Sequence, residues 1–251
     1  MNSVHGSIDA LKKFSVLGSH VHICLDYVNW VEQRLLQKQG THVVTINAEM
    51  AMLARNNPEL ATTIDRADLV VPDGSGVVLY ARSQGENISR CPGIELAENA
   101  VKLVHQHQLR VFLIGGQVGV AETVAKQWQE KFSGLSIDGI QHGYFDRTSE
   151  PQLLEQLCTS QPDLILVGLG VPRQEFWIEQ HRQLCPNATW IGVGGSFDVW
   201  SGLKNRAPKW LRDSHLEWTY RLYQEPWRWR RMLALPQFAW QVALQSMRGK
   251  S

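Results

Sequence analysis

Five short apolar runs punctuate the chain, and each is continuous rather than alternating. Val43-Val-Thr-Ile46 ends at Asn47, and Leu69-Val-Val71 ends at Pro72-Asp73-Gly74. Val111-Phe-Leu-Ile114 runs into Gly115-Gly116, Leu164-Ile-Leu-Val167 into Gly168-Leu-Gly170, and Trp190-Ile-Gly-Val193 into Gly194-Gly195. Helix-length stretches separate them, among them 94–107, 119–132 and 174–184. Apolar positions 120, 121, 124, 125 and 128 follow the rhythm of a buried helix face. Continuous apolar strands alternating with helices predict an α/β fold, a mostly parallel sheet covered by helices on both faces. Ligands of such sheets bind outside the carboxyl ends of the strands. The Gly- and Asp-bearing turns all fall at that edge, so one binding crevice is expected there.

The 251 residues are 43% hydrophobic and 20% charged, which excludes a disordered chain and predicts a sizeable core. No run approaches the 18 apolar residues of a membrane span. The opening Met1-Asn-Ser-Val-His-Gly-Ser lacks the basic-then-apolar order of a signal peptide, so a cytoplasmic location is expected. Cys24, Cys91, Cys158 and Cys185 lie far apart and read as free thiols in a reducing compartment.

Charge changes the picture. The net charge is only +1, but residues from Lys204 onward hold ten Lys and Arg against three Asp and Glu, which is +7. The first 203 residues hold fifteen against twenty-one, which is −6. Five of the ten Trp share the basic segment: Trp210, Trp218, Trp227, Trp229 and Trp240. Pro208, Pro226 and Pro236 punctuate it and should each start or break a helix. We therefore divide the chain into a body, 1–203, and a basic helical appendage, 204–251. Basic groups interleaved with Trp suit a membrane headgroup layer or a nucleic-acid backbone. They equally suit terminal helices that pack their Trp on the body.

Ile114-Gly-Gly-Gln-Val-Gly119 follows a strand and opens a helix. Backbone N–H groups at Gly115 and Gly116 could there hold a phosphate. Against G-x-G-x-x-G, Gly116 and Gly119 match and Ile114 replaces the first glycine. Asp138 follows at about the place of a ribose-binding carboxylate. An NAD(P)-dependent oxidoreductase, a nucleoside-diphosphate site and a turn that needs glycine only for packing all fit this segment. A non-enzymatic nucleotide- or nucleic-acid-binding module is a further alternative.

Six phrases then stand in one order. They are Thr45-Ile-Asn47-Ala-Glu-Met50, Asp73-Gly-Ser-Gly-Val-Val78, Arg90-Cys-Pro-Gly-Ile-Glu-Leu96, Gly168-Leu-Gly-Val-Pro-Arg-Gln-Glu175 and Gly194-Gly-Ser-Phe-Asp198. The sixth combines Arg206-Ala-Pro208, Glu217-Trp-Thr-Tyr-Arg221-Leu and Glu225-Pro-Trp-Arg228-Trp-Arg-Arg231. In this order they resemble the WecG/TagA/CpsF family of bacterial glycosyltransferases, over nearly everything after about residue 15. Glu95, where Asp is commoner, and Arg173, where Lys is usual, are small departures.

The resemblance implies a Rossmann-like body whose C-terminal appendage meets the membrane and completes the site. The implied reaction is an inverting transfer, in cell-surface polysaccharide synthesis, of an N-acetylmannosamine-type sugar. It moves from a UDP donor to a polyprenyl-diphosphate-linked sugar. By resemblance Asp73 is the general base, with Thr45 and Asn47 in the same catalytic pocket. Arg90 and Gln174 contact donor or acceptor, and Gly115, Gly116 and Gly194 line the substrate site. Arg221, Arg228 and Arg231 come from the appendage to the diphosphate. The implied partners are the UDP-sugar, the lipid-linked acceptor and an anionic membrane surface on the inner face of the cell membrane. Nucleic acid is not among them, and a homo-oligomer is left open.

The chemistry asks for these residue types. An in-line displacement at the anomeric carbon needs a carboxylate to take the acceptor's proton, an effect typically of about 10²–10⁴. A departing diphosphate needs positive charge. The chain has no Asp-x-Asp to hold a divalent ion, so no metal or cofactor is expected and Arg groups take that part. His20 and His22, alternating on one strand, have no third ligand in a recognisable spacing and are read as structural, while His105 and His107, two apart on one helix, point to different faces. Asp198 is read as shaping the crevice.

Overall fold

In this computed structural model, residues 11–214 and 216–248 are described, with the side chains of 228 and 245–248 left aside. Strands β1 (Lys12–Val16) and β2 (Ser19–Ile23) form an antiparallel hairpin around Leu17-Gly18. Both turn residues have positive φ, 53° and 93°, as a two-residue turn between right-twisted strands requires. Helix α1 (Tyr27–Leu36) follows, with Asp26 accepting the Asn29 N–H at its start. Then come β3 (Thr41–Ile46), α2 (Ala48–Arg55), α3 (Pro58–Arg66), β4 (Leu69–Pro72), α4 (Ser75–Ser83) and α5 (Gly93–Gln106). The second half holds β5 (Arg110–Gly115), α6 (Val120–Lys131), β6 (Ser136–Gln141), α7 (Glu150–Ser160), β7 (Leu164–Gly168), α8 (Arg173–His181), β8 (Thr189–Gly192) and α9 (Ser196–Trp200). The appendage carries α10 (Lys209–Asp213), α11 (Glu217–Gln224), α12 (Trp229–Met232) and α13 (Ala234–Arg248).

Strands β3 to β8 form one parallel sheet in the order β4-β3-β8-β7-β5-β6. Successive strand residues bury themselves on opposite faces. Val43, Leu69, Val71, Leu113, Leu166 and Ile191 pack with α1, α5 and α6. On the other face Val44, Ile46 and Val70 meet α2, α3 and α4, while Phe112, Ile165, Val167 and Trp190 meet α7 and α8. Both faces are therefore dry, which explains why the five apolar runs do not alternate. The expected helix 174–184 ends as an α-helix at His181 and continues as a 3₁₀ turn, Arg182–Leu184.

Two elements escape the apolar pattern. Strand β6 is an edge strand with a half-buried, mixed sequence. The β1–β2 hairpin covers the opposite edge, where the Val70 N–H donates to His22 Nδ1 at 2.8 Å. Burial pushes the His22 imidazole down to about 4, so its ring nitrogen accepts as a neutral group. His20 pairs with Asp65 at 2.9 Å. Both histidines thus have the structural parts expected of them. Burial pushes the Cys91 and Cys185 thiols up to about 12, and the four cysteines are free.

The appendage lies on the body. Phe238 of α13 is buried among α2 and α4, with its ring edge-on to Tyr80 at 6.5 Å between centroids. Ion pairs hold the rest: Arg206 and Arg212 to Glu95 of α5, Arg231 to Glu49 of α2, and Arg90 to Glu217. Pro208 caps α10 and Pro226 opens a 3₁₀ turn after α11. Pro236 sits in the first turn of α13, where its missing N–H is harmless.

Candidate active site

The carboxyl edge of the sheet carries two features. One lies between β5 and β7, whose onward connections run in opposite directions, to β6 and to β8. That is a topological switch point. Gly115 and Gly116 end β5 there, and Gly168 ends β7. A Cβ on Gly115 would lie 2.8 Å from the Gly168 Cα and 2.7 Å from the Phe197 ring, so close packing alone requires glycine. Gly119 opens α6 in the left-handed region, and no side chain caps that helix start. The NAD(P) reading weakens here. Asp138 is the extra residue of a bulge in β6, paired with Arg110 at 3.3 Å near the amino end of the sheet, away from any ribose at the carboxyl edge.

The other feature is a cleft beyond β3 and β4, enclosing about 710 Å³ with its open mouth. Asn47, Asp73, Gly74 and Arg90 of the body line it, and so do Glu217, Trp218, Arg221, Arg231, Met232 and Leu235 of the appendage. Asp73 leaves β4 where the chain turns into α4. Its backbone N–H donates to the Ile46 carbonyl at 2.9 Å, and its Oδ1 accepts the Gly93 N–H at 2.9 Å at the start of α5. Arg90 Nε donates to the Asp73 carbonyl oxygen at 2.6 Å. Asp73 is half-buried at the cleft wall rather than sealed in the core. Burial raises its carboxyl above the ordinary 3.8; Arg221, the Gly93 N–H and Arg90 offset part of that rise, and Glu217 adds to it.

Arg221 and Arg231 enter the same cleft from α11 and α12. Arg221 bonds Glu217 at 2.8 Å, and Arg231 lies 3.5 Å from Glu49. The α4 start, Gly74 to Gly76, also faces the cleft without a side-chain cap, adding the positive end of a helix dipole. The side chain of Arg228 lies outside the described residues.

Three expected contact residues have other partners. Thr45 donates to the Gly192 carbonyl at 3.2 Å and packs on Gly93, where an added Cβ would meet Thr45 Cβ at 2.9 Å. It thereby seats the N–H that holds Asp73, rather than lining the cleft. Asn47 reaches the cleft wall, but its Oδ1 caps α2 by accepting the Met50 N–H at 2.9 Å. Gln174 is buried; its Nε2 donates to Glu175 at 2.8 Å and its Oε1 accepts the Gly194 N–H at 3.0 Å. It holds the β8 turn from inside and does not reach the open cleft. Gly194 sits in that turn with φ of 53°. Asp198 pairs with Lys204 at 2.6 Å, shaping the junction with the appendage.

Sequence reasoning assigned no part to Glu217, Glu49, Met232 and Leu235. Glu217 carried a signal, its i,i+4 spacing to Arg221. Glu49 stands in the first turn of α2, next to Asn47, while Met232 and Leu235 reach the cleft only through the docking of α12 and α13. Among the described residues, no group of three or more His, Cys, Asp or Glu gathers to hold a metal, and no helix is long and apolar enough to cross a membrane.

A parallel sheet covered on both faces, with an acidic group and convergent guanidiniums at its carboxyl edge, defines a Rossmann-like α/β protein. The match to known sequences is more specific. The family described as glycosyl transferase WecG/TagA/CpsF matches residues 14–251, and the chain belongs to it. A Bacillus spizizenii protein is 37% identical over 214 residues, covering 84% of this chain and 82% of its own. A Bacillus subtilis protein is 34% identical over 228 residues, 90% and 88%. One from Staphylococcus aureus is 33% identical over 202 residues, 80% and 79%. All three are named N-acetylglucosaminyldiphosphoundecaprenol N-acetyl-beta-D-mannosaminyltransferase.

Proposed function

We propose that this chain transfers an N-acetylmannosamine-type sugar, with inversion, from a UDP donor to N-acetylglucosamine carried on a polyprenyl diphosphate. The observation that carries the reading is the convergence of Asp73 from the body with Arg221 and Arg231 from the appendage on one cleft. The names of the relatives support the sugar and the acceptor.

Glu49, Asp73 and Glu217 line the cleft, and the last two are not equivalent as bases. Burial opposes the ionised form of Glu217, but Arg221 and Arg90 outweigh it and bring its pKa to about 2. Asp73 is raised instead, which makes its carboxylate the stronger base. It takes the acceptor hydroxyl's proton as the new bond forms. The guanidiniums of Arg221 and Arg231 offset charge growing on the departing UDP, and the α4 start adds to them. We assign no metal a part in this step. The glycine-lined β5–β7 edge and the Gly194 turn suit the nucleotide portion of the donor.

The acceptor's lipid implies work at a bilayer. Exposed Trp210, Trp227, Trp229 and Trp240 stand among the appendage's basic groups, which supports docking on an anionic inner leaflet. Each basic group there contributes on the order of 1 kcal/mol. The experiment is an assay of several UDP-sugars with a short-prenyl diphosphate-N-acetylglucosamine acceptor, with and without EDTA. Transfer from UDP-N-acetylmannosamine at a rate unchanged by EDTA is expected. Strict Mg²⁺ dependence would overturn the arginine assignment, and tight NAD binding without any response to UDP would overturn the whole reading.

A further inference from the structure

Glu217 stands at the centre of the cleft's cation network, and the chemistry above gives it no step. It opens α11, its side chain is buried, and its two oxygens go to different parts of the molecule. Oε2 accepts from Arg90 Nη2 of the body at 2.7 Å. Oε1 accepts from Arg221 Nη2, one helical turn along the appendage, at 2.8 Å. Arg90 in turn donates Nε to the carbonyl oxygen of Asp73. Three hydrogen bonds therefore run without a gap from the appendage arginine to the backbone of the aspartate.

A group so placed has an evident use. Arg221 is a long side chain on a short helix, and on its own it has many rotamers. Charge-assisted bonds to a buried carboxylate select one of them. Each guanidinium has five N–H donors; the bond to Glu217 uses one of Arg221's, which leaves donors for a ligand. Glu217 stays ionised across the working pH range, so its hold does not vary. The same clamped charge makes it a poor base, which separates its part from that of Asp73.

We propose that Glu217 is a positioning residue for the sugar transfer. Its carboxylate locks Arg221 of the appendage to Arg90 of the body, so that the guanidinium meeting the leaving diphosphate is held in register with Asp73. The inference rests on the glycosyltransfer reading and deepens it.

The test uses the full-length chain with vesicles containing phosphatidylglycerol, UDP-N-acetylmannosamine and the short-prenyl acceptor. Wild type, Glu217→Gln, Arg90→Ala and the double variant are compared. Glu217→Gln should lower kcat about 30-fold while the donor KM moves less than about threefold. In the Arg90→Ala background the same change should cost less than about twofold more, because both act through one chain of bonds. Vesicle binding and the melting temperature should stay near wild type. Independent, multiplying losses in kcat would overturn the proposal. So would coupling confined to the melting temperature, the signature of a merely structural pair. So would unchanged kcat with tighter UDP binding, which would make Glu217 a competitor of the phosphate. If the Gln variant fails to fold, Glu217→Asp keeps the charge and should show the same coupled loss, and its absence overturns the proposal. A wild type that transfers no UDP-sugar would instead remove the glycosyltransfer reading and this inference with it, whereas an active wild type with a fully active Glu217→Gln removes the inference alone.

Discussion

The body and the appendage are held in different ways. The sheet strands are sealed by helices on both faces, and Val43, Val44, Ile46, Leu113, Leu166 and Ile191 have no accessible surface. The appendage rests on buried Phe238 and Ala207, on half-buried Ala234, Leu235 and Val242, and on ion pairs to Glu49, Arg90 and Glu95, while most of its Trp face solvent. Apolar burial is worth far more than partly exposed ion pairs. The appendage is therefore expected to open before the body does. The division matters chemically. The proposed base sits on the body, and the cations proposed for the leaving group sit on the appendage.

Removing residues after Ser201 is the severest break of the comparison. The body should still fold, and transfer should fall by at least about 10³-fold, since two guanidiniums leave together. An active truncated form, measured in the same assay, would show that the appendage supplies nothing to the chemistry.

Asp73→Asn should lower kcat by about 10²–10⁴ with little change in UDP affinity, read by calorimetry. Its effect on stability has the opposite sign. Because burial raises the Asp73 carboxyl in the folded chain, ionising it costs stability as pH rises past the ordinary 3.8. The Asn variant should therefore melt at or above the wild-type temperature at pH 7. A large fall in melting temperature would recast Asp73 as a structural turn residue.

Arg231→Ala should cost about 10²-fold in kcat and leave the body's unfolding unaltered. Unchanged kcat would confine Arg231 to its pairing with Glu49.

Phe238→Ala sharpens the comparison by loosening only the joint. Buried Phe to Ala changes cost about 3–5 kcal/mol in a core. Here the loss should fall on docking, seen as faster proteolysis within the appendage while the body's unfolding midpoint stays put. A matching fall in that midpoint would mean that the two parts unfold as one.

The smallest effect expected is on pH. Glu217 titrates near 2 when docked against its ordinary 4.5, so its contribution is complete above about pH 4.5 and fades as pH falls toward 2. Tryptophan fluorescence should report a local change around Trp218 in that window, and the Glu217→Gln variant should lose this step.

The sheet was legible because its strands are buried on both faces, which leaves unbroken apolar runs ending in Gly or Asp turns. Strand β6, half-exposed at an edge, left no such run, and of the hairpin only the alternation of His20 and His22 pointed to a strand. The site was legible only through the order of its motifs. Asp73 and Arg221 lie far apart along the chain, and periodicity carries no information about which turn an appendage will cover.

What the sequence determined by itself was therefore local: apolar runs that must be buried, glycines where backbones meet, and a basic, Trp-rich end. Tertiary structure decided which polar groups are spent on holding the fold and which remain for a ligand. Thr45, Asn47 and Gln174 were themselves expected at the site, yet their hydrogen bonds go to Gly192, Met50, Glu175 and Gly194. Glu217 drew attention only as part of a motif, yet it ties the two halves of the site together. The reason is that a hydrogen-bonding group acts according to what lies within about 3 Å of it, and that neighbourhood exists only once distant segments have packed.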